Sequence, residues 1–170
     1  MDDQVEMGRK YPFMNGYWED KIPDFSKIRI PCYFTCGFSH FHLRGSVQAF
    51  RKVKSRKKWI RMHRDFEWPD AYDPNNLEDL KRFYDRYLKD IHNGWEMTPR
   101  VRLDVMDAYD CDYQVQRKEK AFPLERTQYT RYYLDAANMT MQYAPLAAAA
   151  KVSYDANTEE AVFEMEFKED

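Results

Sequence analysis

The stretch Ile28 to Gly45 constrains the fold more than any other. After Pro31, the residues Cys32-Tyr33-Phe34-Thr35-Cys36 are apolar or β-branched on both alternating faces, the pattern of a strand covered by other elements on both sides. Proline cannot donate to a ladder, so Pro31 marks the beginning of that strand, and Gly37 marks its end. Beyond Gly37 the chain presents Ser39, His40 and His42 within a few residues. In open α/β sheets the carboxyl ends of strands are where ligands and reactive groups gather. These residues therefore define the first candidate site.

The chain continues with alternating elements. Val47, Phe50 and Val53 share one helical face, with Ser46 as the expected N-cap. Lys57 to His63 reads as a second strand, and 64–76, rich in Pro, Asp and Asn, as a loop. Leu77, Leu80, Phe83, Tyr84, Tyr87, Leu88 and Ile91 then follow the i, i+3, i+4, i+7 pattern of an amphipathic helix, with Gly94 expected in the left-handed position at its end. Strand, helix, strand, helix with short links specifies a parallel α/β layer. Residues 1–27, which mix Gly, Pro, Asn and aromatics, read as a loop-like entry segment.

From Thr98 the texture changes. Val101 to Met106, Tyr129 to Leu134 and Ala161 to Phe167 alternate apolar and polar residues, as half-buried antiparallel strands do. The expected fold class is α/β followed by β, with a boundary near Pro99 between residues 1–97 and 98–170. Half an α/β sheet also leaves an unpaired strand edge, through which copies of the chain can associate.

Charge and composition exclude some partners. The net charge is −2, and the basic run Arg51 to Lys58 straddles a helix end, where cations are favourable, so it reads as a solvated rim and not a nucleic-acid surface. No apolar run is long enough to cross a bilayer. Three cysteines do not form a secreted disulfide framework, which places the chain in a reducing, cytoplasmic compartment.

Two chemistries compete at the first site. Gly37-Phe38-Ser39-His40-Phe41 approaches the Gly-x-Ser-x-Gly nucleophile elbow, but that strained turn needs a small residue where Phe41 stands, so Ser39 reads as a loop serine. His40, His42 and His63 with Cys36 nearby are metal-ligand types without a tight local pair, and Cys32 and Cys36 read as small core residues. No motif calls for a cofactor.

Larger blocks carry a resemblance. Tyr17-Trp18-Glu19-Asp20-Lys21, Ile28-Arg29-Ile30-Pro31-Cys32-Tyr33-Phe34, Lys58-Trp59-Ile60-Arg61-Met62-His63, Asp90-Ile91-His92-Asn93-Gly94-Trp95-Glu96, Thr98-Pro99-Arg100-Val101-Arg102-Leu103 and Phe122-Pro123-Leu124-Glu125-Arg126 occur in this order. Together they resemble the CocE/NonD hydrolases, the Xaa-Pro dipeptidyl-peptidase-like serine hydrolases. The resemblance implies an α/β-hydrolase domain whose last strands and helices are residues 1–97, followed by the opening strands of a jelly-roll β-sandwich in 98–170. It implies no cofactor, and a small ester, amide or peptide substrate once the segment bearing the nucleophile elbow is supplied. It also locates two site positions. Where the family commonly has Gly-Trp-Tyr-Asp, this chain has Gly37-Phe38-Ser39-His40, so His40 occupies the acid position. Where the family has Gly-Pro-Trp-x-His, this chain has His63-Arg64-Asp65-Phe66-Glu67, so Glu67 occupies the histidine position and His63 is the possible substitute base. The expectation is a hydrolase piece inactive on its own or, alternatively, a non-catalytic interaction module. An inverted pair, with His40 as base and Glu67 or Asp65 as its acid, is the third option.

Overall fold

A computed structural model describes residues 2–108 and 111–167 of the chain. The entry segment is more regular than its composition implies. Asp3 caps a helix α1 (Gln4–Lys10) by accepting from the Val5 and Glu6 amides, and Asn15 does the same for a single turn α2 (Gly16–Glu19). Asp24 starts a 3₁₀ turn at Phe25–Lys27. Short capping side chains supply local acceptors that a scan for hydrophobic period does not register.

The expected alternation follows: β1 (Cys32–Gly37), α3 (Leu43–Lys52), β2 (Lys58–His63), α4 (Glu67–Tyr72) and α5 (Pro74–Leu88). Two boundaries differ from the sequence reading. Helix α3 begins at Leu43, with His42 and not Ser46 at the N-cap, and no side chain caps it. The segment 64–76 is not all loop. Glu67 opens the short helix α4, and Asp73 then caps α5, with Pro74 in the first turn where its missing N–H costs nothing. Helix α5 ends at Leu88 because Asp90 (φ 54°) takes the left-handed position expected of Gly94. Gly94 (φ 77°) instead leads into a 3₁₀ turn at Trp95–Met97.

Strand β3 (Val101–Ala108) and strand β4 (Cys111–Glu119) complete a four-stranded sheet in the order β1-β2-β3-β4. The first three strands are parallel, and β4 runs antiparallel to β3. The sheet therefore runs across the boundary expected near Pro99. The compact units divide later, between Glu125 and Arg126.

Alternation along β2 splits the core between the two faces of the sheet. Ile60 and Met62 pack with Cys36, Phe50, Val101 and Leu103, on the face that carries α3. Trp59 packs with Phe83 of α5 and with Trp95. On that second face the parallel register sets Arg61 beside Arg102. Asp70 takes Arg61, and Asp79 takes Arg102 through bonds of 3.1 and 2.7 Å. The Tyr33 hydroxyl accepts from both arginines and donates to Asp79. Burial pushes that phenol up to about 12.

The second unit, Arg126–Asp170, holds a short hairpin of β5 (Tyr133–Asp135) and β6 (Thr140–Gln142). Of the alternating segment 161–167, only Glu164 is paired among the described residues, bridging to Thr140. Among the described residues no helix is long and apolar enough to cross a membrane.

Candidate functional site

Because β1, β2 and β3 are parallel, Gly37, His63 and Ala108 lie at the same end of the sheet. Phe38, Ser39, Arg64, Asp65, Phe66, Met106, Asp107 and Ala108 line a cleft of about 790 Å³ there. A second hollow of about 330 Å³ is lined by Thr35, His42, Ser46, His63, Glu67, Trp68 and Ala71. The carboxyl-end rule thus locates the candidate residues.

The backbone between them is tight. Gly37 pairs with His63, and a Cβ on Gly37 would stand 2.5 Å from the Asp65 carbonyl oxygen and 3.3 Å from His63 Cε1. Only a residue without a side chain lets the β1 and β2 ends approach this closely. From Gly37 the chain turns, with the His40 amide donating to the Gly37 carbonyl and the Leu43 amide to the His40 carbonyl. This turn aims both histidines at the start of α4.

There they meet Glu67. His40 Nδ1 lies 2.9 Å from Glu67 Oε1, and His42 Nδ1 lies 3.2 Å from Glu67 Oε2. The His42 ring leaves the N-cap uncapped and turns to the carboxylate instead. The three side chains differ in exposure, at 3% for His40, 58% for His42 and 24% for Glu67. Phe41 stacks on the His40 ring at 4.1 Å between centroids, and Phe66 tilts against it at 4.6 Å. Each of the three offers one ligand atom, all within 4.8 Å of one another.

The remaining candidates are placed elsewhere. Ser39 is exposed on the cleft wall, with no hydrogen bond to either histidine among the described contacts. His63 is buried. Its Nδ1–H donates to the Asp65 carbonyl at 2.9 Å, and its Nε2 is 3.4 Å from Asp70, which Arg61 already neutralises. Burial holds His63 below the ordinary imidazole value. Asp65 contributes its carbonyl here, while its carboxylate lies near Arg64. Burial, with the Glu67 charge adding to it, pushes the Cys36 thiol up to about 12, so at neutral pH it is an inert core group. The basic run meets Arg100, Lys120, Phe50 and Phe122 around a separate open pocket of about 430 Å³.

The relatives of the chain share this frame. Two crystal structures of a CocE/NonD family hydrolase from Staphylococcus aureus superpose with TM-scores of 0.74 and 0.75 at 32% sequence identity, each over 86% of this chain. Over most of its length the chain is similar to CocE/NonD hydrolases. It spans 27% and 26% of the two Staphylococcus chains, about a quarter of their length. Residues 93–169 match the X-Pro dipeptidyl-peptidase C-terminal non-catalytic domain. His40, His42, His63 and Glu67 all lie before that match. No curated protein matches the chain.

The residue that sequence reasoning underused is His42. By type it groups with His40 and His63, whereas the fold also pairs it with Glu67. Its one available signal was the His40-x-His42 spacing next to a strand end.

Proposed function

We propose that these 170 residues form the part of an ester- or amide-hydrolysing enzyme that holds the positions of the catalytic acid and histidine, and that this part performs no serine-type catalysis alone. On this reading residues 1–97 are the end of an α/β-hydrolase domain whose sheet is continued by β3 and β4, and 98–170 lead into a jelly-roll domain. The observation that carries it is the pairing of His40 with Glu67 at 2.9 Å, with the family's acid and base exchanged between the two positions.

The exchange matters because of which group faces outward. A triad base must reach the serine hydroxyl, while its acid sits behind it. Here the carboxylate lines the open hollow, and the imidazole is enclosed by Phe41 and Phe66. That argues against an inverted triad with His40 as base. The chain's own 170 residues also contain no complete Gly-x-Ser-x-Gly. The substrate, a small ester, amide or peptide, is reached only together with a segment bearing the elbow. Free Cys32, Cys36 and Cys111 fit a reducing, cytoplasmic setting.

Incubation with a short-chain p-nitrophenyl ester and an X-Pro nitroanilide is expected to give no turnover above the uncatalysed rate. A p-nitrophenol burst abolished by a serine-directed phosphonate would overturn the proposal. A second reading, a non-catalytic interaction module, draws on the edge strand β1, which pairs only with β2 among the described strands. Such an edge recruits a further strand, including one from a second copy. Size-exclusion chromatography with light scattering separates the readings, since a clean monomer at all concentrations removes self-association.

A further inference from the structure

We propose that His40, His42 and Glu67 form a binding site for a divalent transition-metal ion of the zinc class. The proposal stands on these three side chains and does not depend on the hydrolase reading.

Two imidazoles and a carboxylate are a donor set that suits Zn²⁺ and its first-row neighbours. Around tetrahedral zinc, with Zn–N and Zn–O bonds near 2.0–2.2 Å, neighbouring ligand atoms lie about 3.3 Å apart. The chain holds His40 Nδ1 and Glu67 Oε1 at 2.9 Å, and His42 Nδ1 and Glu67 Oε2 at 3.2 Å. The three ligand atoms already fall within 4.8 Å, so a cation closes the set by small side-chain rotations.

His40 Nδ1 faces the Glu67 carboxylate at 2.9 Å and the His42 amide N–H at 3.2 Å. A cation on the Nδ1 lone pair gains the carboxylate charge and displaces the longer amide contact. Phe41 and Phe66 keep water from the His40 side, which strengthens ligation. On the other side His42 and Glu67 line the 330 Å³ hollow, which leaves a path for the ion and an open position for water.

The exchange of residues at the two family positions then has a chemical consequence. An Asp–His pair offers one imidazole and one carboxylate, whereas His40, His42 and Glu67 offer a third donor. Three protein ligands with one open position is the arrangement of catalytic rather than structural zinc.

The test is titration of the 170-residue chain with Zn²⁺ by calorimetry and with Co²⁺ by visible absorption. One equivalent is expected to bind saturably, with a Co²⁺ spectrum free of thiolate charge transfer. His42→Ala and Glu67→Gln are each expected to weaken binding at least tenfold. His42 is mostly exposed, so its variant keeps the fold. Cys111→Ser, which removes an exposed thiol, is expected to change nothing. Absence of saturable binding, or binding untouched by both ligand variants, overturns the proposal. Loss on Cys111→Ser overturns it in favour of a cysteine site. Ester turnover is not read in any arm, so failure here leaves the hydrolase reading standing.

Discussion

Arg61 and Asp70 face each other through two hydrogen bonds of 2.6 Å, with their side chains only 5% and 6% exposed. One residue comes from the middle of β2 and the other from α4, so the pair fastens the short helix that begins with Glu67 onto the sheet. Burial works against the charge on Arg61, and the bonds and charge of Asp70 overcome it and raise its pKa. Removing one partner strands a charge in a dry layer. Asp70→Asn is expected to cost about 3–5 kcal/mol, read from urea denaturation midpoints. The double change Arg61→Met, Asp70→Leu is expected to recover most of it, because a matched apolar pair leaves no orphan charge. A single-variant loss below about 1 kcal/mol contradicts the burial of the pair.

Gly37→Ala tests the tight approach of the two strand ends. The added methyl meets the Asp65 carbonyl, which is backbone and cannot rotate away. The expected cost is about 1–3 kcal/mol by thermal or chemical unfolding. The residues that must yield, 64–66, directly precede Glu67, so the His40 and His42 imidazole NMR signals are expected to shift as well. Unchanged imidazole signals in a destabilised variant separate the strand junction from the site.

Much of this was legible because it rests on local pattern. The double-sided apolarity of Cys32 to Cys36 implies a covered strand, and the spacing of Phe83 with Tyr87 implies one face of a helix. Asp3 and Asp90 were not legible in the same way. A capping carboxylate and a left-handed Asp act through one or two backbone groups and leave no period. At the site, His40 and Glu67 were located individually by resemblance. Their contact with His42 needed the fold, since 25 residues separate His42 from Glu67 in sequence and only the parallel register of β1 and β2 closes that gap. Strand β4 carries a weak signal because the alternation of Cys111, Tyr113 and Val115 spans only its first half, and Gln116-Arg117-Lys118-Glu119 is polar throughout.

Trp59 and Trp95 are both fully buried in the same cluster, yet their indole N–H groups differ. Trp59 Nε1 donates to the Thr98 carbonyl at 3.1 Å, whereas Trp95 Nε1 has no partner among the described residues. Replacement by Phe removes similar volume at both places. Only at Trp59 does it also break a bond and orphan a carbonyl. Trp59→Phe is therefore expected to be more destabilising than Trp95→Phe by about 1–2 kcal/mol, measured as the difference between denaturation midpoints at equal slope. Equal losses mean that the Thr98 carbonyl finds water once the indole is gone.

Asp79 sets the acid limit of the second face. Burial raises its pKa, but the bonds from Arg102 and Tyr33 outweigh burial and hold it below the ordinary carboxylate value. An unfolded chain protonates this group near pH 3.9, above the value in the fold. As pH falls below about 5, the unfolded state therefore gains the proton first, and the stabilisation present at neutral pH drains away until the folded carboxylate is protonated too. Asp79→Asn removes the titration. At pH 7 the variant is expected to be less stable by about 1.5–3 kcal/mol, through loss of charged hydrogen bonds to Arg102. Its stability is also expected to fall less steeply than that of the parent between pH 5 and pH 3, so the two curves converge on acidification. Urea midpoints collected across that range decide it, and parallel curves would remove Asp79 from the acid response.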